Sequence, residues 1–276
     1  MAYHIDAVLT KCPDLRWILL SFESVNYSYE TREALKGINI TLRPGTLTAL
    51  IGPNGSGKTT FLKLASGLLD SYTGTIRFDE RDLKKISTAE RARLVSYAPS
   101  GVDFPFEFTV HEVVSQGRSP HLDMLGNLKP EDEEIVDDVI KRLSLDEFRN
   151  RSVNRLSQGE RERVIIARHI AQDAPFMLFD ESLAHLDLKH RLELIDEFKR
   201  LVANGKGIVV AIHEIEFAAR YFQEIILLSK GEILVSGTRD RVINSGVLSD
   251  AYDLEFRIIA GKNPEELSIL PSRRIN

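Results

Sequence analysis

The sequence predicts an α/β fold: a mixed sheet at the core, an antiparallel β subdomain ahead of it, and a helical subdomain inserted into it. Thr46 to Ile51, Phe176 to Phe179 and Ile208 to Ile212 are short apolar runs of the kind that strands buried on both faces require. Trp17 to Tyr29 and Ile38 to Leu42 are instead rich in aromatic and β-branched residues, and the second run stops at the turn pair Pro44-Gly45. Between Gly101 and Ala174, amphipathic segments at helical spacing alternate with glycine, proline and polar breaks.

Taken in order, the two aromatic-rich runs read as strands of an antiparallel edge. Thr46 to Ile51 enters a glycine-rich turn, and Thr59 to Leu69 carries apolar residues at helical spacing, which gives strand, loop, helix. Gly74 to Phe78 and Leu94 to Ala98 read as further strands, the latter closed by Pro99. Glu131 to Leu143 and Glu160 to Ala171 are the clearest helices of the insertion. After Pro175 the run Phe176 to Phe179 ends in two acids, and Ile208 to Ile212 resumes the parallel sheet. Ile225 to Leu228 and Glu232 to Val235 flank Lys230-Gly231, a hairpin signal; the tail then turns helical and loses a clear pattern after Gly261.

The 276 residues suit one core with a satellite subdomain. Hydrophobic residues at 43% and charged residues at 28% supply a core and exclude a disordered chain. A net charge of -5 gives no overall attraction to polyanions, and no local basic patch stands out, so no nucleic-acid partner is expected. Cys12 is the single cysteine, which rules out an intrachain disulfide and a thiolate metal cluster. The apolar run Trp17 to Leu20 is too short to cross a membrane, and no other stretch reaches about 18 apolar residues. Direct membrane insertion is therefore not expected, and any membrane connection would go through a partner protein.

Gly52-Pro53-Asn54-Gly55-Ser56-Gly57-Lys58-Thr59 fits G-x-x-x-x-G-K-[ST] between a strand and a helix, which points to a P-loop NTPase core. Glycines let backbone N–H groups turn inward around phosphate oxygens, Lys58 neutralises the β and γ charge, and the Thr59 hydroxyl can ligate Mg²⁺. Thr60, next in the helix, joins the candidate nucleotide contacts. The strand Phe176 to Phe179 delivers Asp180 and Glu181 to its carboxyl end, where ligands of open α/β sheets bind. Asp180 there can hold Mg²⁺ through water, and Glu181 can orient and activate the attacking water. Alone, such an acidic pair is more often a helix cap or turn; the phosphate loop in the same chain changes that balance. Leu156-Ser157-Gln158-Gly159-Glu160 opens a helix and sets a hydroxyl and backbone N–H groups at the positive end of its dipole.

Together these motifs resemble the ABC ATPase family across roughly Trp17 to Leu254. The phosphate loop, a helical subdomain, an LSGGQ-like signature, an apolar strand with D-E and a strand ending in histidine come in that family's order. The resemblance implies a head-to-tail homodimer around two ATP molecules, with Ser157 and Gly159 acting on the nucleotide held by the other copy. It further implies that Tyr29 stacks on adenine, Asp180 stands on the magnesium side, Glu181 is the catalytic base, Asp187 links the two sites, and His213 touches the γ-phosphate. The implied division is a single nucleotide-binding domain over 17–254, with its helical subdomain at about 101–174, followed by a tail over 255–276. The segments Val113 to His121 and His213 to Tyr221 look like those of ATPases serving importers of iron-siderophore, haem or cobalamin type. That implies transmembrane permease subunits as partners and a cytoplasmic position on the inner face of the membrane. Two other readings stay open: a soluble ABC ATPase of cofactor or metal-cluster assembly, and a slow-turnover regulatory ATP-binding module.

Three positions depart from the family pattern. Ser100 stands where a glutamine usually senses both the Mg²⁺ and the membrane partner, and serine is too short to make that contact. Glu160 replaces the signature glutamine, and Ser182 the proline after the catalytic glutamate. The surface around Ser100 to Pro120 is the expected permease contact, where Phe104, Phe106 and Phe108 either form an exposed apolar patch or pack internally.

Overall fold

The computed structural model describes residues 18–123, 126–259 and 267–274, so that Cys12, Trp17 and Gly261 lie outside the described residues. Strand β1 (Leu20–Tyr29) and β2 (Arg32–Leu42) form a hairpin with Leu20 opposite Leu42 and Tyr29 opposite Arg32. The second strand thus begins six residues before Ile38, where the sequence placed it. In β3 (Leu47–Ile51) all residues are buried. Helix α1 (Lys58–Ala65) is shorter than the expected Thr59 to Leu69, because Ser66 caps it and Gly67 turns to φ 72°; Leu68 is left exposed. Strands β4 (Thr73–Phe78) and β5 (Arg81–Asp82) complete a four-stranded antiparallel sheet in the order β2-β1-β4-β5.

A helix absent from the sequence reading, α2 (Thr88–Leu94), is capped by Ser87 and runs directly into β6 (Val95–Ala98). Three helices follow: α3 (Val110–Ser115), α4 (Pro130–Arg142) and α5 (Gln158–Ala171). They pack around Val113, Val136, Ile140 and Ile166, one apolar core with the adjoining sheet face. The chain continues through β7 (Phe176–Asp180), α6 (Leu188–Ala203), β8 (Gly207–Ala211) and α7 (Ile215–Tyr221). Then come β9 (Glu224–Ser229), β10 (Glu232–Thr238), α8 (Arg239–Val242) and α9 (Ser245–Tyr252). The tail is helical as far as Tyr252, as expected, and ends in an antiparallel pair, β11 (Leu254–Ile259) with β12 (Ser268–Arg274). That pair docks on α7, where the Arg220 guanidinium donates to the Leu267 carbonyl at 2.8 Å.

The main sheet runs β10-β9-β3-β8-β7-β6, parallel from β9 to β6, with β10 as its antiparallel edge. The second core lies between its other face and the antiparallel sheet, with α1 in the middle and Phe22 stacked on Phe61 at 4.8 Å. The segment Val113 to His121 has a packing role. Arg118 and Asp132, both buried, are joined at 2.8 Å, and Arg118 also donates to the Ala171 carbonyl at 2.7 Å, tying the start of α4 to the end of α5. A side chain at Gly117 would meet the Arg168 carbonyl oxygen at 2.1 Å, so only glycine fits there. Of the three phenylalanines, Phe106 is exposed and meets Phe108 edge-on at 5.8 Å, whereas Phe104 and Phe108 rest half-buried on the core. No helix among the described residues is long and apolar enough to cross a membrane.

Candidate active site

Sheet register brings the motifs to one edge. Asp180 lies opposite Ala211, Ala211 opposite Leu50, and Leu50 opposite Ile226. Strands β3, β8 and β7 therefore end level, and from that edge issue the phosphate loop, His213 and Glu181, at the carboxyl ends of parallel strands. They open on a cavity of about 650 Å³ lined by Tyr29, Asn54, Gly55, Gly57, Lys58, Thr59, Thr60, Glu181 and His213, together with Arg32 and Lys230.

The loop itself is wedged in place. A side chain at Gly52 would lie 2.0 Å from the Leu228 carbonyl oxygen. Gly57 enters α1 at φ 108°, a conformation costly to any residue with a Cβ, and is pressed against the Ala34 carbonyl. The Lys230-Gly231 hairpin braces the loop from outside: Gly231 N–H donates to the Ser56 carbonyl at 3.1 Å, and Lys36 N–H to the Gly231 carbonyl at 2.8 Å. Pro53 accepts the Ser56 N–H at 3.2 Å, closing the turn. Lys58 Nζ, buried, donates to the Gly52 and Pro53 carbonyls at 2.8 and 3.1 Å. Burial lowers its pKa, while the nearby Glu181 and Asp180 charges work in the opposite direction. Its ammonium is thus held under the loop, with a cluster of two carboxylates close by.

Asp180 is buried at the end of β7. Its Oδ2 accepts from the Tyr97 hydroxyl at 3.2 Å, and its Oδ1 has no hydrogen-bond partner. Burial raises its pKa, and the Thr59 and Tyr97 hydroxyls pull it back down. A buried carboxylate oxygen without a partner beside a threonine hydroxyl is a hard-oxygen donor set that fits Mg²⁺. Glu181 follows with φ 55°, a left-handed backbone that costs a non-glycine residue about 1–3 kcal/mol. Its Oε1 is 2.6 Å from His213 Nε2. Exposed Tyr29, also on the cavity lining, is met by Tyr27 edge-on at 4.8 Å.

Ser157, Gly159 and Asp187 stand apart from this cavity and close to one another. Ser157 caps α5 in a reciprocal box, its N–H and hydroxyl both donating to Glu160 Oε2 at 2.7 Å. A side chain at Gly159 would approach the His185 carbonyl to 3.1 Å, which places the start of α5 against the turn before α6. Asp187 caps α6 and accepts from the His190 backbone N–H at 2.9 Å and contacts its ring Nδ1 at 2.8 Å. Arg191 grips Glu214 through both carboxylate oxygens, at 2.7 and 2.8 Å, joining α6 to the residue after His213.

Sequence reasoning missed Tyr97, Arg32 and Lys230. Tyr97 lies within the strand read as Leu94 to Ala98, but strand alternation does not reveal which residue on the next strand a side chain reaches. Lys230 was visible only as part of a hairpin; that this hairpin packs on the phosphate loop is a tertiary fact.

The ABC transporter family profile matches residues 35–184. The chain is 34% identical over 241 residues to the iron(3+)-hydroxamate import ATP-binding protein of Bacillus subtilis (strain 168), covering 87% of this chain and 90% of that one. It is 34% identical over 242 residues to the hemin import ATP-binding protein of Streptomyces coelicolor (strain ATCC BAA-471 / A3(2) / M145), covering 88% and 86%. Its fold is similar to a dimeric ATP-binding cassette solved in a post-hydrolysis state with ADP and Pi, with TM-score 0.70 at 27% identity over 80% of this chain and 98% of that one. With the phosphate loop, the acidic strand end and the strand-end histidine converging on one cavity, this chain belongs to the ABC transporter family and is an ATP-binding protein and an ATPase.

Proposed function

We propose that this chain is the ATPase subunit of an importer for an iron-siderophore, haem or cobalamin type of substrate, working as a head-to-tail dimer that closes on two Mg-ATP and drives a membrane permease. The observation that carries the dimer is the separation within one copy: Lys58, Glu181 and His213 share a cavity, while Ser157, Gly159 and Asp187 stand outside it. A second copy, turned end to end, supplies the α5 N-terminus that one copy cannot bring to its own cavity. Residues 17–254 form the cassette in this reading, about 101–174 its helical arm and 255–276 its tail. The kinship with hydroxamate and hemin import ATPases supports the substrate class. Exposed Phe106, with the Asn154 amide donating to the Phe104 and Phe106 carbonyls at 3.3 and 3.2 Å, gives a permease an apolar contact on a fixed loop. The protein then sits on the inner face of the membrane through that partner.

Tyr29 stacks on the adenine, and Gly52 to Thr60 wrap the phosphates with inward N–H groups. Lys58 leaves the Gly52 and Pro53 carbonyls for the β- and γ-phosphate oxygens. Thr59 and Asp180 would hold Mg²⁺, which would supply neutralisation of the phosphate charge. Glu181 accepts the proton of the attacking water as its oxygen bonds to the γ-phosphorus and the bond to the β-bridging oxygen breaks, giving ADP and phosphate. His213 holds the Glu181 carboxylate and donates to the γ-phosphate.

Steady-state ATPase activity in Mg²⁺, beside a Glu181→Gln variant run on size exclusion with ATP, tests this. Turnover by the native chain and an ATP-dependent dimer of the variant support it. Equal turnover by the variant removes Glu181 as base, and a variant that stays monomeric in saturating Mg-ATP removes the self-sufficient dimer. Co-purification without any polytopic partner from solubilised membranes favours the soluble-assembly reading over transport.

A further inference from the structure

We propose that Tyr97 is a positioning residue for the metal ion: its hydroxyl clamps one oxygen of Asp180 and leaves the other free for the cation. The inference deepens the site reading above and rests on its placing Asp180 on the metal side.

Asp180 ends β7 with its side chain buried, and such a carboxylate can rotate about its last torsion to present either oxygen. Here the choice is made. Oδ2 is taken by the Tyr97 hydroxyl at 3.2 Å, and Oδ1 has no hydrogen-bond partner although it is removed from solvent. A buried acceptor left open beside a threonine hydroxyl is costly unless a ligand fills it. Tyr97 is set by the sheet: β6 runs parallel to β7 with Tyr97 opposite Leu178 and Ala98 opposite Phe179, so the phenol leans along the strand direction to reach the carboxylate beyond the pair. Its ring packs half-buried against the core under the antiparallel sheet, which fixes the hydroxyl's position. Thr59, the other hydroxyl near Asp180, lies in the first turn of α1 and lines the cavity. Among the described residues, Tyr97 is therefore the donor to Asp180 that comes from the rigid sheet. A partner of this kind orients a metal-side carboxylate without touching metal or nucleotide.

The test uses the full chain as native protein, Tyr97→Phe and Asp180→Asn. Free Mn²⁺ is followed by electron paramagnetic resonance during titration in the presence of ADP, and ADP affinity is measured separately in EDTA. Tyr97→Phe keeps the ring and removes only the hydroxyl. It is expected to weaken Mn²⁺ binding about tenfold while leaving ADP affinity in EDTA unchanged. Equal Mn²⁺ affinity in Tyr97→Phe and native protein overturns the role, as does a parallel loss of ADP affinity in EDTA, which marks general damage to the pocket. Asp180→Asn separates the two levels. If it weakens Mn²⁺ and Tyr97→Phe does not, only the Tyr97 role falls; if it leaves Mn²⁺ affinity unchanged, the metal-side assignment falls with it.

Discussion

His213 Nε2 and Glu181 Oε1 lie 2.6 Å apart, and Glu181 holds that contact from a left-handed backbone at φ 55°. Two strands that end level, β7 and β8, meet through these side chains, and the contact holds the carboxylate on the lining of the cavity beside the phosphate loop. A strained backbone at such a point is expected when position matters more than stability. Glu181→Gly relieves the strain and removes the carboxylate, so it should raise stability by about 1 kcal/mol and abolish turnover. Chemical denaturation beside an ATPase assay reads both. A Glu181→Gly variant no more stable than Glu181→Ala, which lacks the same contact to His213, shows that the backbone there is not strained.

The Ser157 hydroxyl donates to Glu160 Oε2 at 2.7 Å, so the serine expected to meet a γ-phosphate in the dimer is already engaged by its own neighbour. The hydroxyl and the N–H of Ser157 also hold the Glu160 carboxyl below the usual range, so that it stays charged. A negative charge at this helix start opposes an incoming phosphate. Glu160→Gln keeps a side-chain acceptor and removes the charge. The ATP-dependent dimer should tighten about fivefold to tenfold, equal to about 1 kcal/mol, in sedimentation at low salt. An unchanged or weaker dimer excludes repulsion from Glu160.

Arg118 and Asp132 form a buried pair at 2.8 Å, and the guanidinium also satisfies the last-turn carbonyl of Ala171. Removing one partner strands the other charge in the core of the helical arm. Arg118→Ala should cost about 3–5 kcal/mol in unfolding free energy. The catalytic cavity lies elsewhere, so turnover measured below the melting transition should be retained. A loss under about 1 kcal/mol, the worth of a surface pair, marks Arg118 as dispensable to the fold.

The parallel strands, the phosphate loop and the order of motifs were legible because each depends on local sequence: buried strands are apolar, and a phosphate loop needs its glycines. Lys58, Thr59, Glu181 and His213 converge as read, since β3, β7 and β8 end at one edge. Helix α1 ended early because Leu68 and Leu69 continue the apolar spacing past Gly67, whose positive φ outweighs it. Helix α2 escaped because none of its residues is buried, which leaves no apolar stripe to read. The β11–β12 pair was missed because its docking on α7 is a long-range contact. Val113 to His121 was read as a mark of kinship, and the structure adds a reason for it: Gly117 and Arg118 pack the arm together.

His169 on α5 is buried with neither ring nitrogen hydrogen-bonded, and burial, helped by the neighbouring Arg168 charge, pushes its pKa down to about 3. Unfolded, the same ring titrates near its ordinary 6.5. Between those values the unfolded chain carries a proton that the folded one does not, so stability rises with pH across the window. The contribution is fully present above pH 6.5 and is lost as pH falls toward about 3. From pH 6.5 to pH 5 the loss from this one ring amounts to about 2 kcal/mol. His169→Leu has a similar volume and no titrating group, so it should flatten this part of the profile while changing stability at pH 8 much less. Urea unfolding of both proteins at pH 5 and pH 8 makes the comparison. If the native chain and His169→Leu lose the same stability between those two pH values, the acid sensitivity belongs to other groups and His169 is solvated or paired in solution.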